Sequence, residues 1–320
     1  TGATNSIRPS MGSWIHYGLG SENENLPGFV AIAPPLGNGG PRNFGNGFLP
    51  AIHQGTPVGR ADSRGDDLIL SNANIADKEI PLTRRRLDFV QQLNQHRLDD
   101  QPHDGELDAM VQSYELAWRM QTHAPEVFDI GNETQATQDA YGIGKSPTDA
   151  FGKRCLLARR LCESGVRFIQ INYGDNSANP AWDQHSNLPK HADHAAAVDR
   201  PIAALLEDLK QRGLLDDTLV WWGSEFGRTP YAQANGTGRD HNPAGFTVWL
   251  AGAGVKPGFH YGATDELGHR AVTQKVHMHD LHATILHLMG LDHQRLTFQH
   301  AGRDFRLTDV YGRVVDGILS

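Results

Sequence analysis

Helical and strand-like hydrophobic patterns alternate in the second half of the chain. Helical spacing is found at 151–163 and 191–212, and short apolar runs typical of strands are found at 166–173, 218–222 and 246–250. Gly165 and Gly213 follow the two helical stretches, where glycine commonly ends a helix. Strands and helices that alternate with short connections predict a mainly parallel sheet covered by helices on both faces.

The first half of the chain is less regular. The apolar run at 26–32 predicts a buried strand, and the region 34–67 is so rich in Gly, Pro, Asn and Asp that we expect a long irregular loop. Helical spacing predicts a helix from Thr83 to about Asp99 and another from Asp104 to about Thr122, with Asp104 as its N-cap. These two helices form a predicted insertion at about 83–122.

One more helix is expected near the end of the chain. The apolar spacing between 280 and 289 is helical, and Asp280 at its start is a candidate cap.

Bulk composition excludes several classes of partner. The 320 residues are enough for one large α/β domain or two smaller ones. With 29 Lys and Arg against 37 Asp and Glu, the formal charge is −8, and no basic run points to nucleic acid. No apolar run approaches the ~18 residues of a membrane span. Cys155 and Cys162 lie in one predicted helix, about 10 Å apart along its axis, which is too far for a disulfide.

Three short polar segments hold the candidate chemistry. They read Trp-Asp-Gln-His at 182–185, Ser-Glu-Phe-Gly-Arg-Thr-Pro at 224–230 and Gly-Arg-Asp-His-Asn-Pro at 238–243. Together they contain two His, two Asp, one Glu and two Arg. Carboxylates and imidazoles are ligands of divalent metal ions, and arginines bind anions, so the set is typical of a metal site that faces an anionic substrate.

The first two segments each allow a functional and a structural interpretation. Asp183 and His185 are one residue apart, so both side chains of an extended segment point the same way and could share one ion. Alternatively, they are a turn aspartate and an exposed histidine. Glu225 could be a further ligand and Arg228 an anion clamp, or the two could form an ion pair that closes the loop.

The third segment supplies His241, which is the best single ligand candidate. Asp240 beside it could bind directly or orient an imidazole from behind. Asp183 and Glu225 both follow predicted strands, and the carboxyl ends of parallel strands meet at one edge of a sheet. His241 precedes its strand, so it joins the other two only if the strand at 246–250 runs antiparallel.

The chain resembles the DUF1501 family, which belongs to the alkaline phosphatase and sulfatase superfamily. The resemblance covers nearly the whole chain and is strongest from Phe151 onwards. It is carried by the motifs at 152–161, 182–185, 208–215, 225–230, 238–241 and 280–286, together with 12–14 and 26–30.

The resemblance implies a single alkaline phosphatase-like domain over residues 1–320. Its fold is a three-layer α/β/α sandwich with a mainly parallel sheet and at least one antiparallel strand. It also implies metal-assisted hydrolysis of sulfuric or phosphoric esters, with a small-molecule or carbohydrate anionic ester as substrate. Zinc and calcium are both candidate ions.

By motif, the metal ligands are Asp183, His185 and His241, with Glu225 as a fourth candidate. Arg228, Arg239 and Asp240 are the residues expected to contact the substrate. Many relatives carry Asp-His where this chain has Glu225-Phe226. A glutamate can bind a metal but a phenylalanine cannot, so one ion or two remain alternatives.

Two further expectations follow from the resemblance. Relatives carry the nucleophile and one more metal-binding aspartate on an N-terminal strand and helix, so we expect this chain to be a fragment that begins after them, and no nucleophile is identified. Relatives are usually exported, which implies a periplasmic or secreted protein. The alternative is a carbohydrate- or surface-binding scaffold that keeps the fold without catalysis, favoured by Phe226 and by the loop at 34–67.

Overall fold

The computed structural model describes residues 6–37, 39–62, 68, 80–101, 104–177, 180–233 and 236–320. Residue 38 and residues 63–67 of the predicted irregular loop lie outside the described part. Contacts divide the chain into two compact units, residues 1–139 with 153–173 and residues 140–152 with 174–320. Both contain helices and strands, so the chain is mixed α/β. The single domain and the three-layer sandwich stay predictions.

The elements follow one another along the chain as follows. The helices are α1 (Met11–Leu19), α2 (Ile80–Asp100), α3 (Gly105–Phe128), α4 (Gln135–Ala140), α5 (Asp149–Glu163), α6 (His191–Gln211) and α7 (Met278–Leu288). The strands of the first unit are β1 (Phe29–Ile32), β2 (Thr56–Val58) and β3 (Phe168–Ile171). The strands of the second unit are β4 (Leu219–Trp222), β5 (Gly227–Arg228), β6 (His241–Asn242), β7 (Trp249–Gly252), β8 (Ala263–Thr264), β9 (Ala271–Thr273), β10 (Phe298–His300) and β11 (Arg303–Phe305).

A parallel sheet of order β2-β1-β3 forms the centre of the first unit. Every residue of β1 is buried, as expected for a strand with both faces covered. On one face, Val30 and Ile32 pack with Leu157 and Leu161 of α5. On the other, α1 approaches so closely that a Cβ at Gly12 would lie 2.6 Å from the Phe29 ring. The strands predicted at 26–32 and 166–173 are confirmed as β1 and β3. The expectation of a wholly irregular region at 34–67 is wrong at β2, which forms because its backbone pairs with β1.

All five predicted helices are present, as α2, α3, α5, α6 and α7, with ends shifted by a few residues. The two helices of the predicted insertion are α2 and α3, and the Asp104 carboxylate accepts the Leu107 N–H at 3.0 Å, which confirms the predicted N-cap. The role predicted for Asp280 is wrong in detail. His277 is the N-cap of α7, and Asp280 accepts the His277 N–H at 2.9 Å from three residues further on. This reciprocal arrangement is a capping box.

The second unit is built on antiparallel pairs. Strand β7 pairs antiparallel with β4, in the register Trp222 to Trp249, and this confirms the orientation predicted for the strand at 246–250. The two-residue strands β5 and β6 also pair antiparallel. No helix in the described part of the chain is long and apolar enough to span a membrane.

A buried ion network joins α5 to the segment after α3 in the first unit. The Arg159 side chain is 1% exposed, and its guanidinium lies 2.6 Å from Glu133 and 2.6 Å from Glu163. Burial alone would raise the pKa of Glu133, but the two arginines beside it, Arg159 and Arg160, hold the pKa below its ordinary value. The Glu133 carboxylate is therefore ionised at neutral pH.

Replacing Arg159 with Leu should lower the free energy of unfolding by about 3 kcal/mol, because the substitution removes one partner of a buried ion pair. The exposed pair between Arg60 and Asp62 provides the control. Arg60→Leu should change stability by less than about 0.5 kcal/mol. Urea unfolding measures the free energy of unfolding of both variants. An equal decrease in the two variants would contradict the conclusion that the buried network stabilises the fold more than an exposed ion pair does.

Two histidines face each other in the first unit. The Nδ1 atoms of His16 and His53 are 3.3 Å apart. Burial and the neighbouring His16 lower the pKa of His53 to about 4, and burial together with Arg167 lowers the pKa of His16. Both rings are therefore neutral at pH 7.

Stability should fall as the pH drops from about 6.5 towards 4. In this window the unfolded chain binds protons at its histidines, ordinary pKa about 6.5, while folded His53 does not. His53→Gln should make this fall smaller, whereas the same change at the exposed His96 should not. Denaturant unfolding at pH 7 and pH 5 gives the free energy of unfolding of wild type and both variants. If His53→Gln keeps the pH dependence of wild type, the lowered pKa of His53 is not a source of that dependence.

Candidate metal centre

Three ligand atoms from two segments converge in the second unit. Asp183 Oδ1 lies 3.0 Å from His185 Nε2 and 2.9 Å from His241 Nε2, and the two imidazole nitrogens are 3.1 Å apart. The three side chains are 28% to 39% exposed, so the cluster is open to solvent. Within the described ranges, this is the group of His, Cys, Asp and Glu side chains that could hold a metal ion.

Hydrogen bonds alone satisfy this triangle poorly. An N–H group points along one line, so each Nε2 can donate either to the carboxylate or to the other ring, and not well to both. If both rings donate to Asp183, their N–H groups face each other across 3.1 Å. If one ring does not donate, its lone pair faces the carboxylate oxygen. A single shared cation would satisfy all three atoms.

The separations and the donor types fit a metal ion. Ligand atoms bound to one ion at about 2.0–2.2 Å lie about 3.0–3.5 Å from one another. The observed distances of 2.9–3.1 Å are at or just below the lower edge of that range. Two imidazoles and one carboxylate form a ligand set typical of zinc and similar transition ions, whereas calcium prefers sites built from oxygen.

The loop after β3 carries Asp183 and His185. The loop turns sharply before them, where Ala181 has a φ of +36°, and the Trp182 carbonyl accepts a hydrogen bond from His191 Nε2 at 2.9 Å. The Arg239 backbone N–H donates to the Gln184 carbonyl at 3.2 Å, so the loop is also tied to the segment that leads into His241.

Strands β5 and β6 position His241. Arg228 is paired with His241 in this ladder, and side chains opposite one another in an antiparallel pair lie on the same face. Thr229 binds Asp240 through its backbone N–H (3.0 Å) and through its hydroxyl, which accepts the Asp240 N–H at 3.2 Å. The buried Asn242 side chain donates to the His269 carbonyl at 3.0 Å and anchors the strand from behind.

Arg228 is the cation that holds the site together. Its guanidinium donates to Asp183 Oδ1 at 2.9 Å, to the Trp182 carbonyl at 2.7 Å and to the Arg239 carbonyl at 3.0 Å. Burial raises the pKa of Asp183, but hydrogen bonds from His241 and Arg228 outweigh it and hold the pKa below its usual range. The carboxylate is therefore ionised at neutral pH.

Asp240, the residue before His241, has the position expected of a residue that orients the imidazole of His185. Asp240 Oδ1 accepts the His241 backbone N–H at 2.7 Å and lies 3.7 Å from His185 Nδ1. A carboxylate on this side of His185 favours a proton on Nδ1, which leaves the Nε2 lone pair directed towards Asp183 and His241.

The remaining predicted site residues are placed differently. Glu225 is exposed, accepts a hydrogen bond from the Ser224 hydroxyl at 3.1 Å, and is not part of the three-residue group. The Phe226 ring stacks on the His241 imidazole with centroids 3.8 Å apart. The Arg239 guanidinium forms no hydrogen bond or ion pair with a residue that the structure describes, and its role in binding substrate stays a prediction.

Several contributors were not identified from the sequence. Thr229, Asn242 and the Trp182 carbonyl hold the site through hydrogen bonds that involve backbone groups. A short sequence motif does not indicate such bonds. Gly238 is different, because a glycine directly before a candidate site is itself a signal of close approach. A Cβ at Gly238 would lie 1.8 Å from the His185 carbonyl oxygen.

Comparison with known proteins identifies a family. A family model described as "Protein of unknown function (DUF1501)" matches residues 1–319. The match includes all three residues of the converging group. Neither the curated proteins nor the solved structures contain a significant match.

Gly238→Ala should lower the free energy of unfolding by about 1–3 kcal/mol, because the added methyl collides with the backbone of the loop that carries His185. Gly174→Ala is the matched control, since a Cβ there meets no atom within 4 Å. Thermal unfolding measures both variants. Similar melting temperatures for Gly238→Ala and wild type would show that Gly238 and the loop that carries His185 are not packed as closely as described.

Proposed function

We propose that this chain, which belongs to the DUF1501 family, is a metal-dependent hydrolase of sulfuric or phosphoric esters. The observation that carries the proposal is the approach of Asp183 Oδ1, His185 Nε2 and His241 Nε2 to within 2.9–3.1 Å of one another. The resemblance to alkaline phosphatases and sulfatases supports the reaction class, and with it a three-layer α/β/α architecture and export to the periplasm or medium.

The proposed ion is zinc or a similar transition ion in preference to calcium. Two of the three ligand atoms are imidazole nitrogens, which bind borderline ions better than hard ones. Three protein ligands also leave a coordination position open, as in catalytic zinc sites. When bound, such an ion supplies Lewis acidity to an ester oxygen.

The charge balance of the side chains favours an anionic substrate. The positive charge of Arg228 offsets the negative charge of Asp183, with a distance of 2.9 Å between them. Both imidazoles are neutral when they bind a metal, so a divalent ion adds uncompensated positive charge. The Asp240 carboxylate, 3.7 Å from His185, is offset by the neighbouring Arg239, so the positive charge of the ion remains uncompensated.

The residues of the chain have distinct roles in this proposal. Asp183, His185 and His241 hold the ion, and Asp240 keeps the His185 lone pair directed into the site. Arg228 is a positioning residue, because its donors are used by Asp183 and by two backbone carbonyls. Arg239 would bind the ester anion. The proposal assigns no nucleophile.

A second candidate is a carbohydrate- or surface-binding scaffold without catalysis. It is favoured by Phe226, an apolar ring stacked 3.8 Å from a ligand imidazole, and by the position of Glu225 outside the three-residue group. The two candidates differ in activity. Cleavage of a chromogenic aryl sulfate or aryl phosphate by the metal-loaded protein favours the hydrolase, and the better of the two substrates identifies the ester class.

His241→Ala should abolish stoichiometric metal binding without unfolding the protein, because it removes one of three ligands from a partly exposed position. Elemental mass spectrometry after dialysis against zinc or calcium measures the metal content, and circular dichroism checks the fold. His260→Ala, at an exposed histidine outside the group, should keep the metal content of wild type.

Two results would count against the metal centre. Wild-type protein that retains neither zinc nor calcium has no such site under these conditions and supports the scaffold. A His241→Ala variant that retains stoichiometric metal places the ion elsewhere in the chain.

A further inference from the structure

The backbone just before Asp183 is held in an uncommon conformation. Ala181 is buried and has a φ of +36°, in the left-handed region that residues other than glycine rarely adopt. Its N–H donates to the Asp175 carboxylate at 3.3 Å, and its carbonyl accepts from the Gln184 side chain at 2.7 Å. Such a conformation persists only where the surrounding structure fixes it, and functional sites are where it is often found.

The Trp182 carbonyl is the main acceptor of this segment. It accepts hydrogen bonds from the Gln184 backbone N–H at 2.9 Å, from the Arg228 guanidinium at 2.7 Å and from His191 Nε2 at 2.9 Å. Because a carbonyl oxygen only accepts, His191 Nε2 is the donor of its pair. Three donors on one oxygen, which has two lone pairs, restrict the direction of this C=O bond.

This carbonyl belongs to the same peptide group as the Asp183 nitrogen. A peptide group is planar, so the direction of the Trp182 C=O bond sets the plane that contains the Asp183 N–Cα bond. The carboxylate attached to that Cα approaches the His185 and His241 imidazoles at 2.9–3.0 Å. A change in the direction of the carbonyl would therefore move a candidate metal ligand.

His191 contacts the Trp182 residue in two ways. It is the first residue of α6, a helix of 21 residues that buries Val198, Leu205 and Leu209, so the position of His191 is fixed by a packed helix. Its Nε2 donates to the carbonyl, and its ring lies edge-on to the indole, with centroids 5.3 Å apart and planes at 77°. The hydrogen bond and the ring contact can be removed separately.

We propose that His191 is a positioning residue of the metal centre, which holds Asp183 in place through the Trp182 carbonyl. The proposal rests on the metal-dependent function proposed above. Removal of a group that orients a metal ligand from behind lowers metal affinity by about 10–100-fold. The N–H group of His191 should account for this effect, because it is the group that binds the carbonyl.

Two variants of His191 separate the N–H group from the ring. His191→Gln keeps an N–H donor at the same number of bonds from the backbone and removes the ring, so it should bind zinc as wild type does. His191→Phe keeps an aromatic ring and removes the donor, so its dissociation constant for zinc should rise by about tenfold or more. Isothermal titration calorimetry measures both constants.

A spectroscopic measurement adds a test of geometry. The visible spectrum of the cobalt(II)-loaded protein reports the coordination geometry of the ion. The spectrum of His191→Gln should match that of wild type, and the spectrum of His191→Phe should differ from it. His287→Ala, at an exposed histidine of α7, is the control and should change neither the spectrum nor the zinc affinity.

Circular dichroism checks that each variant is folded. If His191→Phe does not fold, His191→Ala replaces it, because alanine also removes the donor and adds no bulk. The same loss of zinc affinity is expected of it.

The outcomes separate this inference from the proposed function. Wild type that binds neither zinc nor cobalt(II) overturns the metal centre, and this inference with it. Wild type that binds zinc, together with a donor-free variant of equal affinity, overturns the inference alone. A loss of affinity in His191→Gln as large as that in His191→Phe also overturns it, because the effect then belongs to the ring.

Discussion

The candidate centre depends on one oxygen atom, Asp183 Oδ1. Two imidazole nitrogens and one guanidinium approach it to about 3 Å from different loops. A carboxylate oxygen can accept from one or two donors with good geometry, but three neighbours that also contact each other leave lone pairs or N–H groups opposed. The local structure therefore holds together an arrangement that its own hydrogen bonds satisfy incompletely. Sites with this property gain stability when a cation binds, because binding occurs only in the folded state.

Arg228 explains how the loops are held in this arrangement. Only 15% of its side chain is exposed, and it donates to the carboxylate and to the carbonyls on either side of the site. The guanidinium is well suited to this, because its donors are fixed in a plane and it stays charged at all relevant pH values. A lysine would keep the charge and lose the three-way geometry. The motif predicts Arg228 to be an anion clamp, but its hydrogen-bond donors are used mainly within the protein. Arg239 is therefore the candidate for contact with an external anion.

The two units bury their apolar side chains by different means. In the first unit, a parallel sheet is covered on both faces, and every residue of β1 is buried. The α2–α3 hairpin of the same unit follows another rule. An ion pair and an amide hydrogen bond join its helices, and Leu82, Phe89 and Leu93 of α2 are exposed.

The sequence by itself indicated the buried strand β1, the Asp104 cap and the antiparallel strand β7, because hydrophobic period and capping residues act locally. It also indicated Asp183, His185 and His241, since these residue types and their spacing restrict the possible chemistry. It did not indicate α1, α4 or β2, and β2 forms by backbone pairing with β1 inside a region expected to be irregular. Element ends were displaced by a few residues, as at β7, because hydrogen-bond pairing and not hydropathy ends a strand. Only the tertiary structure decided that Glu225 lies outside the group, that Phe226 stacks on His241, and that Arg228 is used internally. These outcomes depend on distances between segments far apart in the chain, on which local patterns carry no information.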